Sequence, residues 1–148
     1  MTDISFYHLT RKPLEAALPE LLEKIVERDM RAIVMATTAE RLRQLNDLLW
    51  TYRREGFLPH GTADDGPAED QPIFLTMDEE TLNNASVLLL VDGADPTHCE
   101  SFDRVLDLFD GNDPVALDAA RDRWRRRKGD GYTVTYWKQG ERGWQKGA

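Results

Sequence analysis

The sequence has little cysteine and no long apolar run. Cys99 is the only cysteine among 148 residues, which excludes an internal disulfide framework and a cysteine-rich zinc site. No apolar stretch approaches the roughly 20 residues that cross a bilayer, and the first residues lack the basic and apolar segments of a secretory signal. We therefore expect a cytoplasmic protein that folds around its own hydrophobic core.

The chain also lacks the overall positive charge of many nucleic-acid-binding proteins, since its net charge is −8. The charge is unevenly distributed, however. Residues 1–120 hold ten basic and 24 acidic residues, whereas residues 121–148 hold nine basic and three acidic ones. An acidic body is expected to repel DNA, and a compact basic end is suited to a small acidic ligand or peptide.

The short motifs that mark common α/β enzymes are absent. The chain has no Gly-x-Gly-x-x-Gly after a strand, no Walker loop and no Gly-x-Ser-x-Gly. His8, His60 and His98 lie too far apart for metal-ligand spacing. Asp92, after an apolar segment, is a candidate enzyme carboxylate, and the acidic stretch that runs on to Asp103 is a candidate weak cation site. A turn residue and a solvated acidic face are the simpler interpretations, so we expect no catalytic residue, metal or cofactor.

Strand-like and helix-like segments alternate along the chain, which predicts an α/β sheet with helices on both faces. Short apolar segments predict strands at 4–9, 32–36, 73–76, 86–91 and 132–137. Helical spacing predicts helices at 13–28, about 40–52, 102–109 and 113–128, with caps at Thr37 and Asp113. Residues 56–72 form the longest predicted loop. We expect one domain over residues 1–138 and a polar tail of low order at 139–148.

The helix at 113–128 has the composition of a binding surface. Arg121, Trp124, Arg125 and Lys128 fall at i, i+3, i+4 and i+7 and so share one face. An aromatic ring flanked by guanidinium groups is suited to hold an apolar side chain and a carboxylate together. A solvated basic face with Trp124 turned into the core explains the pattern equally well, so both interpretations stay open.

A second candidate surface is the loop Gly56-Phe57-Leu58-Pro59-His60-Gly61. It places two large apolar side chains, Phe57 and Leu58, in otherwise polar surroundings. Such side chains either pack onto the chain's own core or fill a pocket on a partner, and the sequence leaves both alternatives open.

Seven segments in this order resemble the chi subunit family of bacterial DNA polymerase III. They are Phe6-Tyr7-His8-Leu9, Leu49-Trp50-Thr51-Tyr52, Phe57-Leu58-Pro59-His60-Gly61, Gln71-Pro72-Ile73, Leu90-Val91-Asp92-Gly93, Ala120-Arg121-Asp122-Arg123-Trp124 and Tyr136-Trp137. The resemblance covers nearly the whole chain. It implies a Rossmann-like sheet without a nucleotide site, and a non-catalytic subunit of the polymerase holoenzyme.

The resemblance also implies two protein partners. One is the acidic C-terminal tail of the single-stranded DNA-binding protein, which would bind at Arg121, Trp124, Arg125 and Lys128. The other is the psi subunit of the clamp loader, which would contact Trp50, Phe57, Leu58, Pro59 and His60. A chain of this kind is expected to be a monomer on its own and to contact DNA mainly indirectly. Direct nucleic-acid binding through the basic helix at 113–128 is the alternative.

Overall fold

The computed structural model of the protein describes residues 2–51, 60–62, 71–77, 85–96, 99–140 and 143–146. Its helices are α1 (Leu14–Glu27), α2 (Ala39–Thr51) and α3 (Pro114–Gly129). Its strands are β1 (Asp3–Leu9), β2 (Ala32–Met35), β3 (His60–Gly61), β4 (Ile73–Thr76), β5 (Val87–Leu90), β6 (Arg104–Asp110), β7 (Thr133–Gly140) and β8 (Gly143–Lys146). No helix in the described part of the chain is long and apolar enough to cross a membrane.

The strands form one sheet in the order β3-β4-β2-β5-β6-β1-β7-β8. The first seven are parallel to their neighbours, and β8 runs antiparallel to β7. Alternate residues of each strand face opposite sides, so Val34 packs with α1 and α2 on one face, while Ile33 packs with α3 on the other. The predicted single-domain α/β fold, with a Rossmann-like sheet and helices on both faces, is confirmed.

The predicted helix at 102–109 is wrong, because Arg104–Asp110 is strand β6 in the interior of the sheet. Both faces of this strand are covered, so Val105, Leu106, Leu108 and Phe109 are all buried. A strand buried on both faces shows no alternation of polar and apolar residues. Its apolar residues then match helical spacing by coincidence.

Three smaller predictions also need correction. The predicted loop at 56–72 contains the short strand β3, which pairs with β4. Within this loop the structure describes residues 60–62 and 71–72, and the other residues lie outside the described part. The predicted tail from Gln139 is not without order, since β7 continues to Gly140 and β8 pairs with it. Helix α2 is capped by Thr38, whose Oγ1 accepts from the N–H of Arg41 at 3.1 Å, and not by Thr37. The cap of α3 by Asp113 is confirmed.

Candidate binding site on helix α3

A cavity of about 320 Å³ lies between α3 and the sheet, and we call it the α3 pocket. It is lined by Phe6, His8, Phe109, Leu117, Ala120, Arg121, Trp124 and Tyr136. Strand register brings the sheet residues together. Phe6 pairs with Tyr136 of β7, and His8 pairs with Phe109 of β6. Because Phe6 and His8 are two residues apart on β1, both point towards the face that α3 covers.

Trp124 forms one wall of the α3 pocket. Its ring meets Phe6 edge-on with centroids 5.5 Å apart, and Tyr136 at 6.2 Å and 89°. Such edge-to-face contacts are favourable for aromatic pairs. The side chain is half-buried, so it is neither solvated nor turned fully into the core. Partial burial leaves one part of the indole packed on the sheet and another part open to the cavity.

Arg121 supplies the charge at the mouth of the α3 pocket. Its side chain is 62% exposed, and its ion pair with Asp118 spans 3.6 Å. That distance exceeds the 2.7–2.9 Å or so of a charge-assisted hydrogen bond, so this pair leaves the guanidinium available to another carboxylate. Burial raises the pKa of Tyr136, and the positive charge of Arg121 opposes that rise. The same charge acts on His8, which places Arg121 beside the polar floor of the pocket.

The polar floor of the α3 pocket is formed by His8 and Tyr136. The imidazole Nδ1 of His8 is hydrogen-bonded to the hydroxyl of Tyr136. Burial lowers the pKa of His8, and the positive charges of Lys138 and Arg121 lower it further. The imidazole is consequently neutral near pH 7, because its ordinary pKa is already about 6.5. Apart from Arg121 at its mouth, the pocket is thus lined by uncharged side chains.

The other two predicted residues of this face lie along α3 but do not line the pocket. Arg125 is exposed and pairs with Asp122 at 3.1 Å, and Lys128 is also exposed. They continue the positively charged face of the helix beyond Trp124. The structure therefore brings Arg121 and Trp124 together at one cavity and leaves Arg125 and Lys128 on the surface next to it.

Two other arginines of the basic helix are structural. Arg123 is buried and makes a bidentate ion pair with Asp107 of β6, at 2.7 and 3.0 Å. Arg127 is also buried and donates to Asp95 and to the carbonyl of Pro96, at 2.9 and 2.8 Å. The sequence shows these residues only as members of a basic run. Their partners lie far away in the chain, so the composition overstates the charge that the helix presents to a ligand.

The second predicted surface is described in part. Trp50 is 51% exposed on α2, and its ring lies 4.6 Å from that of His60, centroid to centroid. His60 is buried in β3, and its Nε2 donates to the carbonyl of Asn46 at 3.3 Å. The structure thus brings Trp50 and His60 together at the β3 edge of the sheet. Phe57, Leu58 and Pro59 lie outside the described residues.

Asp92 is held by an ion pair. Its carboxylate lies 2.6 Å from Arg41, which also pairs with Glu15 at 2.8 Å. These residues border a crevice of about 750 Å³ at the carboxyl ends of β1 and β6, where nucleotide-binding sheets hold their ligands. Among the described residues there is no group of three or more His, Cys, Asp or Glu that could hold a metal ion.

The phosphate-binding position of such a sheet is filled from within the chain. After β1, the backbone N–H groups of Thr10, Arg11 and Lys12 all donate to the side-chain oxygen of Gln139, at 2.9, 2.9 and 3.0 Å. In dinucleotide-binding folds the corresponding loop presents its N–H groups to phosphate. Here the amide oxygen of Gln139 takes them, which agrees with the missing glycine-rich motif.

The sequence indicates the helical side of the α3 pocket, Arg121 and Trp124, but not the side formed by the sheet. Phe6, His8, Phe109 and Tyr136 belong to three strands, and only the order and register of the sheet place them together. The alternation of Phe6 and His8 indicates a shared face. It does not indicate which helix covers that face.

A family profile and two related proteins all match this chain to DNA polymerase III chi subunits. The profile of the family described as "DNA polymerase III chi subunit, HolC" matches residues 1–135. The DNA polymerase III subunit chi of Pseudomonas aeruginosa is 27% identical over 137 residues, which cover 90% of this chain and 94% of that protein. The probable DNA polymerase III subunit chi of Rickettsia prowazekii is 34% identical over 95 residues, 64% of this chain and only 58% of the relative.

A crystal structure, that of T4 UvsW, is similar in fold. It superposes with a TM-score of 0.57 at 12% identity, over 93% of this chain and 40% of the UvsW chain. At that identity the likeness concerns the fold alone.

Proposed function

The chain belongs to the DNA polymerase III chi subunit family, and from this membership we propose that it is a non-catalytic adaptor in DNA replication. Its α3 pocket would bind the acidic C-terminal tail of the single-stranded DNA-binding protein, a tail that ends in Pro-Phe with a free carboxylate. The observation that carries this proposal is an aromatic-walled cavity with one exposed arginine at its mouth.

The chemistry of the pocket matches both parts of such a terminus. The terminal phenylalanine ring would enter between Trp124, Phe6 and Tyr136, where its burial contributes about 1.5–3 kcal/mol. The carboxylate would pair with Arg121, replacing the longer contact to Asp118. A hydrogen bond to a charged group adds about 1.5–3 kcal/mol.

The rest of the tail would follow the basic face of α3. Arg125 and Lys128 are exposed beyond the pocket and would attract the acidic residues that precede the terminus. Because these contacts are solvent-exposed, added salt should weaken them. Away from its local clusters of cations, the acidic body of the chain would discourage binding to DNA.

The Arg121→Ala substitution tests this assignment. Because the arginine is exposed and its neighbours remain, the fold should survive while the affinity for a tail peptide falls about tenfold or more, measured by calorimetry. Arg43→Ala on α2 is the matched control, since it removes an exposed arginine that does not line the pocket. Equal affinities for Arg121→Ala and the original protein would refute the site.

The surface around Trp50 is our proposed contact for the psi subunit, together with His60 and the neighbouring Phe57, Leu58 and Pro59. Its support is the large exposed indole, which is the kind of residue that anchors protein interfaces. Trp50→Ala should weaken psi binding at least tenfold in a pull-down titration and leave tail-peptide affinity unchanged. Unaltered psi binding would remove Trp50 from the interface.

Direct nucleic-acid binding through the basic helix remains a weaker proposal. Arg123 and Arg127 are buried in ion pairs, which reduces the charge that α3 offers to phosphates. Charge reversal at Arg125 and Lys128 that left the affinity for DNA unchanged would exclude it.

A further inference from the structure

A second cavity lies on the opposite face of the sheet, between α1 and the hairpin of β7 and β8. Its volume is about 240 Å³, and we call it the hairpin pocket. Its aromatic side chains are Tyr7, Trp137 and Trp144, and its charged side chains are Lys24, Arg28 and Arg104. The proposed adaptor function uses none of these residues.

The charge of the hairpin pocket is opposite to that of the whole chain. The net charge of the protein is −8, yet no Asp or Glu is found among the described residues that line this cavity. Lys24, Arg28 and Arg104 are exposed. Burial raises the pKa of Tyr7, and Arg104 opposes that rise, which places the guanidinium near the Tyr7 hydroxyl. A local excess of cations in an acidic protein favours an anionic ligand.

One of the residues that line the pocket, Trp137, carries a hydrogen-bond donor without a partner among the described residues. The indole Nε1 of Trp137 is buried and bonded to no acceptor in the described part of the chain. The ring lies nearly parallel to Tyr7, with centroids 6.4 Å apart, and Trp144 meets Tyr7 edge-on at 4.8 Å. Leaving a buried donor unpaired is costly and calls for an explanation.

We infer that the hairpin pocket binds single-stranded nucleic acid by taking up one base. A base offers a flat, uncharged aromatic ring to the aromatic walls. The phosphates on either side of that base would remain outside, where the cations are exposed. Aromatic stacking together with a cationic rim is the usual means of binding single strands.

Two alternative ligands fit these features less well. An acidic peptide would have to bring a carboxylate in among the aromatic side chains, where burying its charge is costly. A free mononucleotide carries phosphate on one side only, whereas the cations stand on two elements, with Lys24 and Arg28 at α1 and Arg104 at the start of β6. A strand with phosphates on both sides of the bound base uses all of them.

The experiment measures the affinity of the full chain for a fluorescein-labelled oligothymidylate of about 15 nucleotides by anisotropy at low salt. Arg104→Glu should weaken binding about tenfold, because it reverses a charge beside the bound base. Trp144→Ala should weaken it about fivefold or more, and Trp144→Phe should restore most of the affinity because it keeps an aromatic wall. Arg43→Glu, the same charge change on α2, should have little effect.

Several results would overturn the inference. They are absence of binding to the original protein, an equal loss in Arg104→Glu and Arg43→Glu, and full affinity in Trp144→Ala with an intact fold. A loss in Arg125→Glu without one in Arg104→Glu would place the contact on α3 instead. If thymidine monophosphate competed as well as the oligonucleotide, the ligand would be a mononucleotide and not a strand. If an acidic peptide bound the pocket and the oligonucleotide did not, the ligand would be a peptide.

Discussion

At the scale of single residues, the α3 pocket depends on a close contact at its floor. Gly111 follows β6, and a Cβ built on it would lie 1.8 Å from the Cδ2 and Nε2 atoms of His8. His8 is itself buried and bonded to Tyr136, so its ring has little room to move. The imidazole of His8 can therefore occupy the floor of the pocket only because residue 111 has no side chain.

We predict that Gly111→Ala destabilises the protein by about 1–3 kcal/mol, the usual cost of adding atoms to a tightly packed site. It should also weaken tail-peptide binding, because displacing His8 disturbs Tyr136 and the wall it shares with Trp124. Chemical denaturation and calorimetry measure the two effects. Gly129→Ala is the control, since a Cβ there meets nothing within 4 Å. Equal stability of the two variants would contradict this account of the floor.

The sequence could not indicate this contact. Gly111 follows Asp110 in an Asp-Gly pair that is typical of a turn, and the turn is what the sequence predicts. Its close approach to His8 arises because β1 and β6 pair in parallel. The helical residues Arg121 and Trp124 were predictable because spacing along one helix is a local property.

At the scale of elements, α3 is attached to the sheet through ion pairs as well as apolar contacts. Three residues of α3 are buried, and two of them are arginines: Ala120, Arg123 and Arg127. The first pairs with Asp107 in the middle of β6, and the second reaches Asp95 after β5. These two pairs set the position of the helix over the sheet, and with it the shape of the α3 pocket.

We predict that Arg123→Met costs about 3–5 kcal/mol of stability, because it leaves the carboxylate of Asp107 buried without its partner. Arg125→Met is the matched control, two residues along the same helix. Its ion pair with Asp122 is 72% and 77% exposed, so the loss should stay below about 1 kcal/mol. Urea denaturation of both variants makes the comparison, and similar costs for the two would show that the buried pair does not secure the helix.

The elements were predicted unevenly, for physical reasons. Helices α1 and α3 were predictable because apolar spacing and end residues such as Pro13 and Asp113 are local signals. Strand β6 was not, because a segment buried on both faces loses the alternation that identifies strands. The hairpin of β7 and β8 was missed because its residues look polar and its support is remote, in the contact of Gln139 with the loop after β1.

At the scale of the whole molecule, the two proposed protein contacts lie at different ends of the sheet. Trp50 and His60 lie near the edge strand β3, whereas the α3 pocket lies over β6, β1 and β7. This separation supports the proposal that both partners bind at once. Two weak links through one small chain then act together, since the second contact forms at a raised effective concentration.

The charge distribution supports the same proposal. Twenty-four of the 27 acidic residues precede residue 121, and the last 28 residues carry a net charge of +6. An acidic tail would be drawn to the basic end and repelled elsewhere. The uneven charge was readable from the sequence, whereas the burial of Arg123 and Arg127 within that basic end was not.

The central claim is that the α3 pocket binds a C-terminal phenylalanine together with its carboxylate. The most direct test is calorimetry of the full chain with an acidic peptide that ends in Asp-Ile-Pro-Phe, at low and moderate salt, beside the same peptide carrying a C-terminal amide. We predict micromolar binding that weakens with salt and is largely lost on amidation, because Arg121 then has no carboxylate to pair with. Equal affinity for the acid and the amide, or no binding of either at low salt, would contradict the claim.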